Sequence, residues 1–201
     1  MATYAYQPLP GDIVIDIGAG LGEETLVFSE LVGEKGKVFS IEANPGVFKI
    51  LQEVITLNEL SNVHAYNIAI NEEDQPVIIN DENESYLSGS LTKRADTNTE
   101  AYKVPGYTMN RFVEENKIER IDLLKVNIEG AERFVISTIE KVLPLVKNFA
   151  IECHDFRYAK EGNEFFRTRD LVVSFLKMHG YTIVSQQTGT PYIDDWVYAS
   201  R

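Results

Sequence analysis

Two short runs in the second half of the chain gather residues able to move a proton. Lys125-Val126-Asn127-Ile128-Glu129-Gly130-Ala131-Glu132 ends an apolar stretch in an amide and two carboxylates, and Glu152-Cys153-His154-Asp155-Phe156 ends another in carboxylates around an imidazole. Alternation along a strand places Asn127 and Glu129 on one face. Glu129 and Glu132 have the spacing to share one face of the helix expected to begin there. A histidine beside carboxylates can act as a general base, because its pKa falls near working pH. His154 is therefore the first candidate base, with Glu129 or Asp155 to orient it. Asn127, Glu129, His154 and Asp155 also offer donors that a divalent cation could take, although no spacing here is diagnostic of metal. The plainer alternatives are that the acids complement a helix N-terminus and that His154 is structural. Cys153 reads as a small core residue, since no nucleophile elbow surrounds it.

A second group lies near the start. Val14-Ile15-Asp16-Ile17-Gly18-Ala19-Gly20-Leu21-Gly22 reads as a buried strand, a glycine turn and a helix start, and Glu42 ends the next strand. Such an arrangement holds an adenosine-type cofactor: glycines admit the backbone close to it, and a carboxylate grips the ribose hydroxyls. A dinucleotide needs a bare, positive helix N-terminus for its pyrophosphate. Here the third glycine comes one residue early, and Glu23 and Glu24 follow at once. Those carboxylates suit the helix dipole but would repel a pyrophosphate. S-adenosylmethionine (SAM) has no phosphate and carries a positive sulfonium, so it fits better. The cofactor-binding candidates are Asp16, Gly18, Ala19, Gly20, Glu42, Ala43, Ile68, Ala69 and Asn127. Asp16 is a special case: a carboxylate inside an apolar strand needs a partner. It could brace the turn, face the cofactor, or do both.

These residues need a scaffold that delivers them to one edge. Asp12–Ile17, Lys37–Glu42, Val63–Ile70, Ile121–Ile128 and Phe149–Cys153 read as strands. Glu23–Val32, a helix opened by Pro45, Met109–Asn116 capped by Thr108, Ala131–Leu143 and Thr168–His179 read as helices between them. Tyr181–Ser185 and Trp196–Ala199 read as a terminal pair of strands. The alternation implies an α/β sheet with helices on both faces, and ligands in such sheets sit beyond the carboxyl ends of the strands. Residues 80–102 break the alternation with a polar stretch and read as a lid or substrate loop, or as a surface insertion.

Composition narrows the function. The chain has 201 residues, which fits one domain, and a net charge of −12, which argues against a nucleic-acid partner. No apolar run is long enough to span a bilayer, and no secretory signal opens the chain. The single cysteine fits a reducing cytoplasm.

Taken together, the segments Ile15–Gly22, Ser40-Ile41-Glu42-Ala43-Asn44-Pro45, Leu57-Asn58 with Asn62-Val63, and Ile121–Glu132 resemble the FkbM-type family of SAM-dependent methyltransferases. The Lys-Val-x-Ile-Glu-Gly-Ala-Glu block is the specific part. The resemblance implies a class I methyltransferase Rossmann-like sheet of seven mostly parallel strands. It also implies SAM as cofactor and methylation of a hydroxyl on a sugar or natural product. Many relatives carry Asp at the position of Asn127, and relatives usually carry helical segments upstream of the first strand, so a minimal form and a domain of a larger enzyme are both open. The leading expectation is an O-methyltransferase acting on a small or carrier-bound hydroxyl substrate. N-methylation, a dinucleotide-dependent oxidoreductase and a non-catalytic SAM-binding module are the alternatives. The oligomeric state is open.

Overall fold

β1 (Ile13–Ile17) has no solvated face, because it is hydrogen-bonded in parallel to a strand on either side and covered above and below. That is why its sequence is apolar at every position but Asp16. The structure, a computed structural model, describes residues 2–80 and 101–201. After β1 come α1 (Glu23–Val32), β2 (Lys37–Ile41), α2 (Pro45–Leu57), β3 (Val63–Tyr66), β4 (Ala69–Ile70), β5 (Val77–Asn80), β6 (Ala101–Val104) and β7 (Gly106–Tyr107). The second half holds α3 (Met109–Glu115), β8 (Ile121–Val126), α4 (Glu132–Thr138), β9 (Val146–Glu152), α5 (Asp155–Glu161), α6 (Arg169–Met178), β10 (Thr182–Ser185), α7 (Pro191–Asp194) and β11 (Trp196–Ser200).

Seven strands form the main sheet in the order β10-β11-β9-β8-β1-β2-β3. All neighbours are parallel except β10 with β11 and β11 with β9. This is the expected α/β class I methyltransferase architecture, with the chain reversing its direction of travel at β1. The cleft at that switch point opens beyond the ends of β1, β2 and β8. One face of the sheet packs Ile15, Ile17, Phe39, Ile41, Leu124 and Val126 against α3, α4 and α6. The other packs Val14, Val38 and Leu123 against Phe28 and Val32 of α1 and Ala2 of the N-terminal segment. The opposite sides follow from the two-residue period of a strand.

Helix starts follow the chemistry expected of them. Asn44 Oδ1 accepts from the amides of Gly46 (2.8 Å) and Val47 (3.3 Å), with Pro45 following it in the first turn. Thr108 Oγ1 accepts from Arg111 N, as a cap should. Three elements depart from the sequence reading. The third strand stops at Tyr66, because Ala69–Ile70 leaves the main sheet to pair with Gly106–Tyr107. The helix expected over 131–143 ends at Thr138, whose hydroxyl donates back to Phe134 O at 3.0 Å. A short helix, α5, follows the fifth strand of the alternation. The polar stretch 80–102 lies almost wholly outside the described residues. Its flanks β5 and β6 pair as an antiparallel ribbon, with Ile79 and Val104 packed on Ala69.

Candidate active site

The cleft at the switch point encloses about 350 Å³. Gly18, Ala19 and Gly20 form its floor, and Glu42 with Ala43 one wall. Gly18 has φ +76°, and a Cβ there would lie 1.9 Å from Asn127 O. Only glycine lets the turn lie this close to β8. Gly18 N and Ala19 N both donate to Ile41 O, at 2.9 and 3.0 Å, which ties the turn to the end of β2.

The turn is braced from beneath by a buried polar cluster. Register places Asp16 opposite Ser40 on one side and Lys125 on the other. Asp16 is fully buried: Oδ2 accepts from Thr25 Oγ1 at 3.0 Å, and Oδ1 lies 2.8 Å from Lys125 Nζ. Lys125 Nζ also donates to Gly18 O at 2.7 Å and lies 3.2 Å from Glu24 Oε2. Three acceptors thus meet the three N–H groups of the ammonium. Burial works against its charge, but Asp16 and Glu24 outweigh burial and its pKa is raised. Asp16 has no surface on the cleft, and its link to the turn runs through Lys125.

Glu42 stands where β2 ends. Its Oε2 accepts from Gly20 N at 3.0 Å and its Oε1 from Asn44 N at 2.8 Å. Burial pushes its carboxyl up, against the pull of the Asn44 and Gly20 amides and of Lys125. Ile68, Ala69 and Ile79 give the cleft an apolar wall beyond Glu42, a surface suited to an adenine ring. A glycine turn that a Cβ would fill, a carboxylate at ribose reach and an apolar wall fit SAM.

The other end of the cleft is made by Asn127 and Glu129. Asn127 Nδ2 donates to Glu152 Oε2 at 2.6 Å. Burial raises the pKa of Glu152, against the pull of His154 and Lys125. Glu129 has φ +53°, a left-handed conformation rare for a side chain of its size. Its Oε2 lies 2.6 Å from Arg157 Nη1 and its Oε1 lies 3.6 Å from His154 Nε2. His154 itself is 1% exposed and does not reach the cleft surface. Its Nδ1 is 2.8 Å from Oε1 of the fully buried Glu132.

Of the residues singled out in the sequence, Gly18, Ala19, Gly20, Glu42, Ala43, Ile68, Ala69, Asn127 and Glu129 line the cleft. Asp16 and His154 lie directly behind it. Asp155 stands apart from both: its Oδ2 accepts from Thr168 N and Arg169 N, each at 2.9 Å, and so caps α6. Of the two expected orienters of His154, Glu129 stands 3.6 Å from Nε2 and Asp155 is engaged elsewhere; Glu132 holds the imidazole. The four-residue metal set is not assembled either, because Asn127 is bonded to Glu152, Asp155 to α6 and Glu129 to Arg157. Among the described residues no group of three or more His, Cys, Asp and Glu is placed to hold a metal ion. Sequence reasoning missed Lys125 and Arg157, whose partners lie on other elements. A cationic residue in a buried apolar strand was the available signal for Lys125. Among the described residues no helix is long and apolar enough to cross a membrane.

Residues 16–183 match the methyltransferase FkbM domain family. No protein of curated function matches the sequence. Among solved structures, the chain is similar to a methyltransferase FkbM from Methylobacillus flagellatus, at 15% identity and TM-score 0.59, over 95% of this chain and 44% of that one. It is similar to an rRNA methylase from Streptococcus thermophilus, at 12% identity and TM-score 0.55, over 97% and 89%. A third is the fibrillarin of Aeropyrum pernix, solved with natively bound S-adenosyl-L-methionine, at 15% identity and TM-score 0.53, over 98% and 70%. The dinucleotide alternative thus gives way to the cofactor that the acids after the glycine turn favoured. The chain belongs to the methyltransferase FkbM domain family and is a SAM-dependent methyltransferase.

Proposed function

We propose that the enzyme transfers the methyl group of SAM to a hydroxyl oxygen of a small molecule, a sugar or a natural-product intermediate, free or carrier-bound, in the cytoplasm. The observation that carries this reading is the acid–base assembly at the acceptor end: Glu129 faces the cleft, and His154 stands 3.6 Å behind it. A neutral amine attacks a sulfonium methyl with its own lone pair. An alcohol must also lose a proton, and a basic group beside the acceptor serves that need.

SAM would lie with its ribose on Glu42, its adenine along Ile68 and Ala69, and its methionine end toward Gly18, Ala19, Gly20 and Asn127. Asp16 would act on it through Lys125. The bound cofactor supplies an activated methyl group. The chain's own task is alignment for in-line attack, which can supply much of the acceleration, and reception of the hydroxyl proton. Residues 1–201 are read as one domain. The acceptor would enter from the side of the β5–β6 ribbon, where Ile79 lines the cleft. A net charge of −12 and carboxylates at Glu23, Glu24, Glu42 and Glu129 along the cleft disfavour a polyanion such as RNA.

The test is incubation with SAM and a panel of alcohols, phenols, amines and a ribosomal RNA fragment, with products read by mass spectrometry. Methyl transfer to a hydroxyl compound is expected. Transfer confined to amines, or to RNA, would overturn the reading.

A further inference from the structure

His154 is the obvious base by type, yet it is buried behind the cleft, and the cleft-lining carboxylate nearest to it is Glu129. Glu129 lines the cleft with its side chain 23% exposed, whereas the His154 side chain is 2% exposed. We propose that the acceptor's proton leaves in two stages, first onto Glu129 and then onto His154, with Glu132 as the positioning residue that keeps His154 Nε2 turned toward Glu129. This rests on the O-methylation reading and names the route its proton takes.

The geometry of each station supports the order. Glu132 Oε1 accepts from Gly130 N at 3.1 Å and lies 2.8 Å from His154 Nδ1. Glu132 Oε1 already acts as an acceptor toward Gly130 N, and an acceptor oxygen at that distance calls for a donor, so Nδ1 carries a hydrogen and Nε2 is the nitrogen free to take a proton. Glu129 is aimed by strain. Its left-handed backbone is followed by Gly130 at φ +92°, where a Cβ would meet the Phe165 ring at 2.7 Å. Unfavourable backbone of this kind persists only where its surroundings fix it, and here Glu132 fixes it through the Gly130 amide. Arg157 completes the arrangement. It holds Glu129 Oε2, is itself held by Glu161 at 2.8 Å, and stacks its guanidinium 3.9 Å from the Phe166 ring centre. Oε1 is left for the proton.

Charged groups face His154 from several elements: Glu132 from the start of α4, Glu129 from the turn after β8, Glu152 from the end of β9 and Asp195 from the segment before β11. Burial opposes the charge of the imidazole, but Glu132, Glu129 and Glu152 outweigh it and the pKa is raised. The proton-accepting form therefore grows as pH rises through that raised value. In the transfer, the acceptor's O–H bond breaks as its oxygen bonds to the methyl carbon. The methyl–sulfur bond breaks, its electron pair stays on sulfur, and S-adenosylhomocysteine is left. The proton reaches Glu129 Oε1, then His154 Nε2, and passes to water when the product departs.

Two measurements on the full chain test this. The first is NMR titration of ring-labelled histidine, with His154→Gln assigning its signal among only three histidines. Wild-type His154 should be the Nδ1–H tautomer when neutral. Glu129→Gln should lower its pKa and leave the tautomer, while Glu132→Gln should erase the tautomer preference. A His154 titration untouched by Glu129→Gln overturns the relay, as does a neutral Nε2–H tautomer. The second is kinetic, on the hydroxyl acceptor found above. Glu129→Gln and His154→Gln should each lower kcat by about 10²–10⁴-fold with SAM affinity retained. The double variant should be no slower than the slower single one, since the two act as a unit. Glu132→Gln should move the acidic limb of kcat/KM to lower pH. Multiplying losses in the double variant, or full turnover by Glu129→Gln, would sink the two-stage route while O-methylation stood. Wild-type transfer to amines alone would remove the O-methylation reading itself.

Discussion

The cofactor end and the acceptor end of the cleft each bury a basic side chain among carboxylates, Lys125 at one and His154 at the other, and they do it differently. Lys125 has three acceptors for three hydrogens, at 2.7, 2.8 and 3.2 Å. His154 has one close partner, Glu132, and a second, Glu129, at 3.6 Å. Asp16 Oδ1 and Glu132 Oε2 both lack a conventional hydrogen bond among the described residues, but Asp16 Oδ1 is held by the Lys125 ammonium at 2.8 Å, and Glu129 sits on strained backbone. A saturated cluster resists rearrangement, because every move breaks a buried ionic contact. An unsaturated one can exchange a proton at small cost. Rigidity is thus placed where a constant cofactor must be gripped, and latitude where protons move.

Removing the cation from the cofactor-end cluster should break this contrast most visibly. Lys125→Met leaves Asp16 buried opposite no charge, a loss of about 3–5 kcal/mol, or roughly a 10 °C fall in Tm for a chain of this size. Thermal unfolding by circular dichroism reads it. Asp16→Asn added to Lys125→Met should recover part of the loss. Additive losses in the pair would mean that Asp16 and Lys125 do not form one unit.

Gly18→Ala sharpens the comparison from the backbone. The added Cβ meets Asn127 O at 1.9 Å, so the turn must lift from β8 and carry Ala19 and Gly20 with it. A displacement costing about 1–3 kcal/mol should weaken SAM binding by roughly ten- to a hundredfold, as calorimetry would measure. Affinity equal to wild type would show that the turn need not sit against β8. Glu42→Gln is the gentler probe of the same end. It retains an acceptor for Gly20 N but loses the charge. Hydrogen bonds to a charged group are worth about 1.5–3 kcal/mol, so a loss at the lower bound, near tenfold, is expected in SAM affinity with the fold unchanged. Unchanged affinity would place the ribose elsewhere.

The two ends also differ in how far they could be read from sequence. The cofactor end is local: strand, glycines, helix and Glu42 fall within one βαβ unit, and spacing alone conveys it. The alternation of elements likewise conveys the sheet. The brace under the turn is not local. Asp16 and Lys125 become partners only through parallel register between β1 and β8, which no spacing along the chain encodes. The acceptor end depends on the turn after β8. Glu132 was expected to share a helix face with Glu129, but the turn at Glu129–Gly130 separates them and sends Glu132 to His154. Asp155 was near in sequence to His154 and went to α6, since Thr168 N and Arg169 N lacked other acceptors. The ribbon and the β4–β7 pair escaped because each joins very short segments, about two to four residues long, too short for periodicity to signal.

The smallest expected effect concerns pH, and it returns to the unsaturated end. The folded protein binds a proton at His154 more tightly than the unfolded chain, whose ordinary value is 6.5. The stabilisation this gives is fully present below that value and disappears as pH rises through the raised folded one. The same rise frees Nε2 to accept a proton, so stability and turnover should move in opposite directions across one window. Urea midpoints of wild type and His154→Gln, taken from pH 6 to pH 9, isolate the contribution, because other groups cancel in the difference. The wild-type advantage should shrink steadily above pH 6.5. Lys125→Met should keep its deficit across the whole range, since an ammonium with a raised pKa stays charged throughout. A His154 advantage that is flat with pH would mean the imidazole remains neutral when folded, and the acceptor end would then be as fixed in charge as the cofactor end.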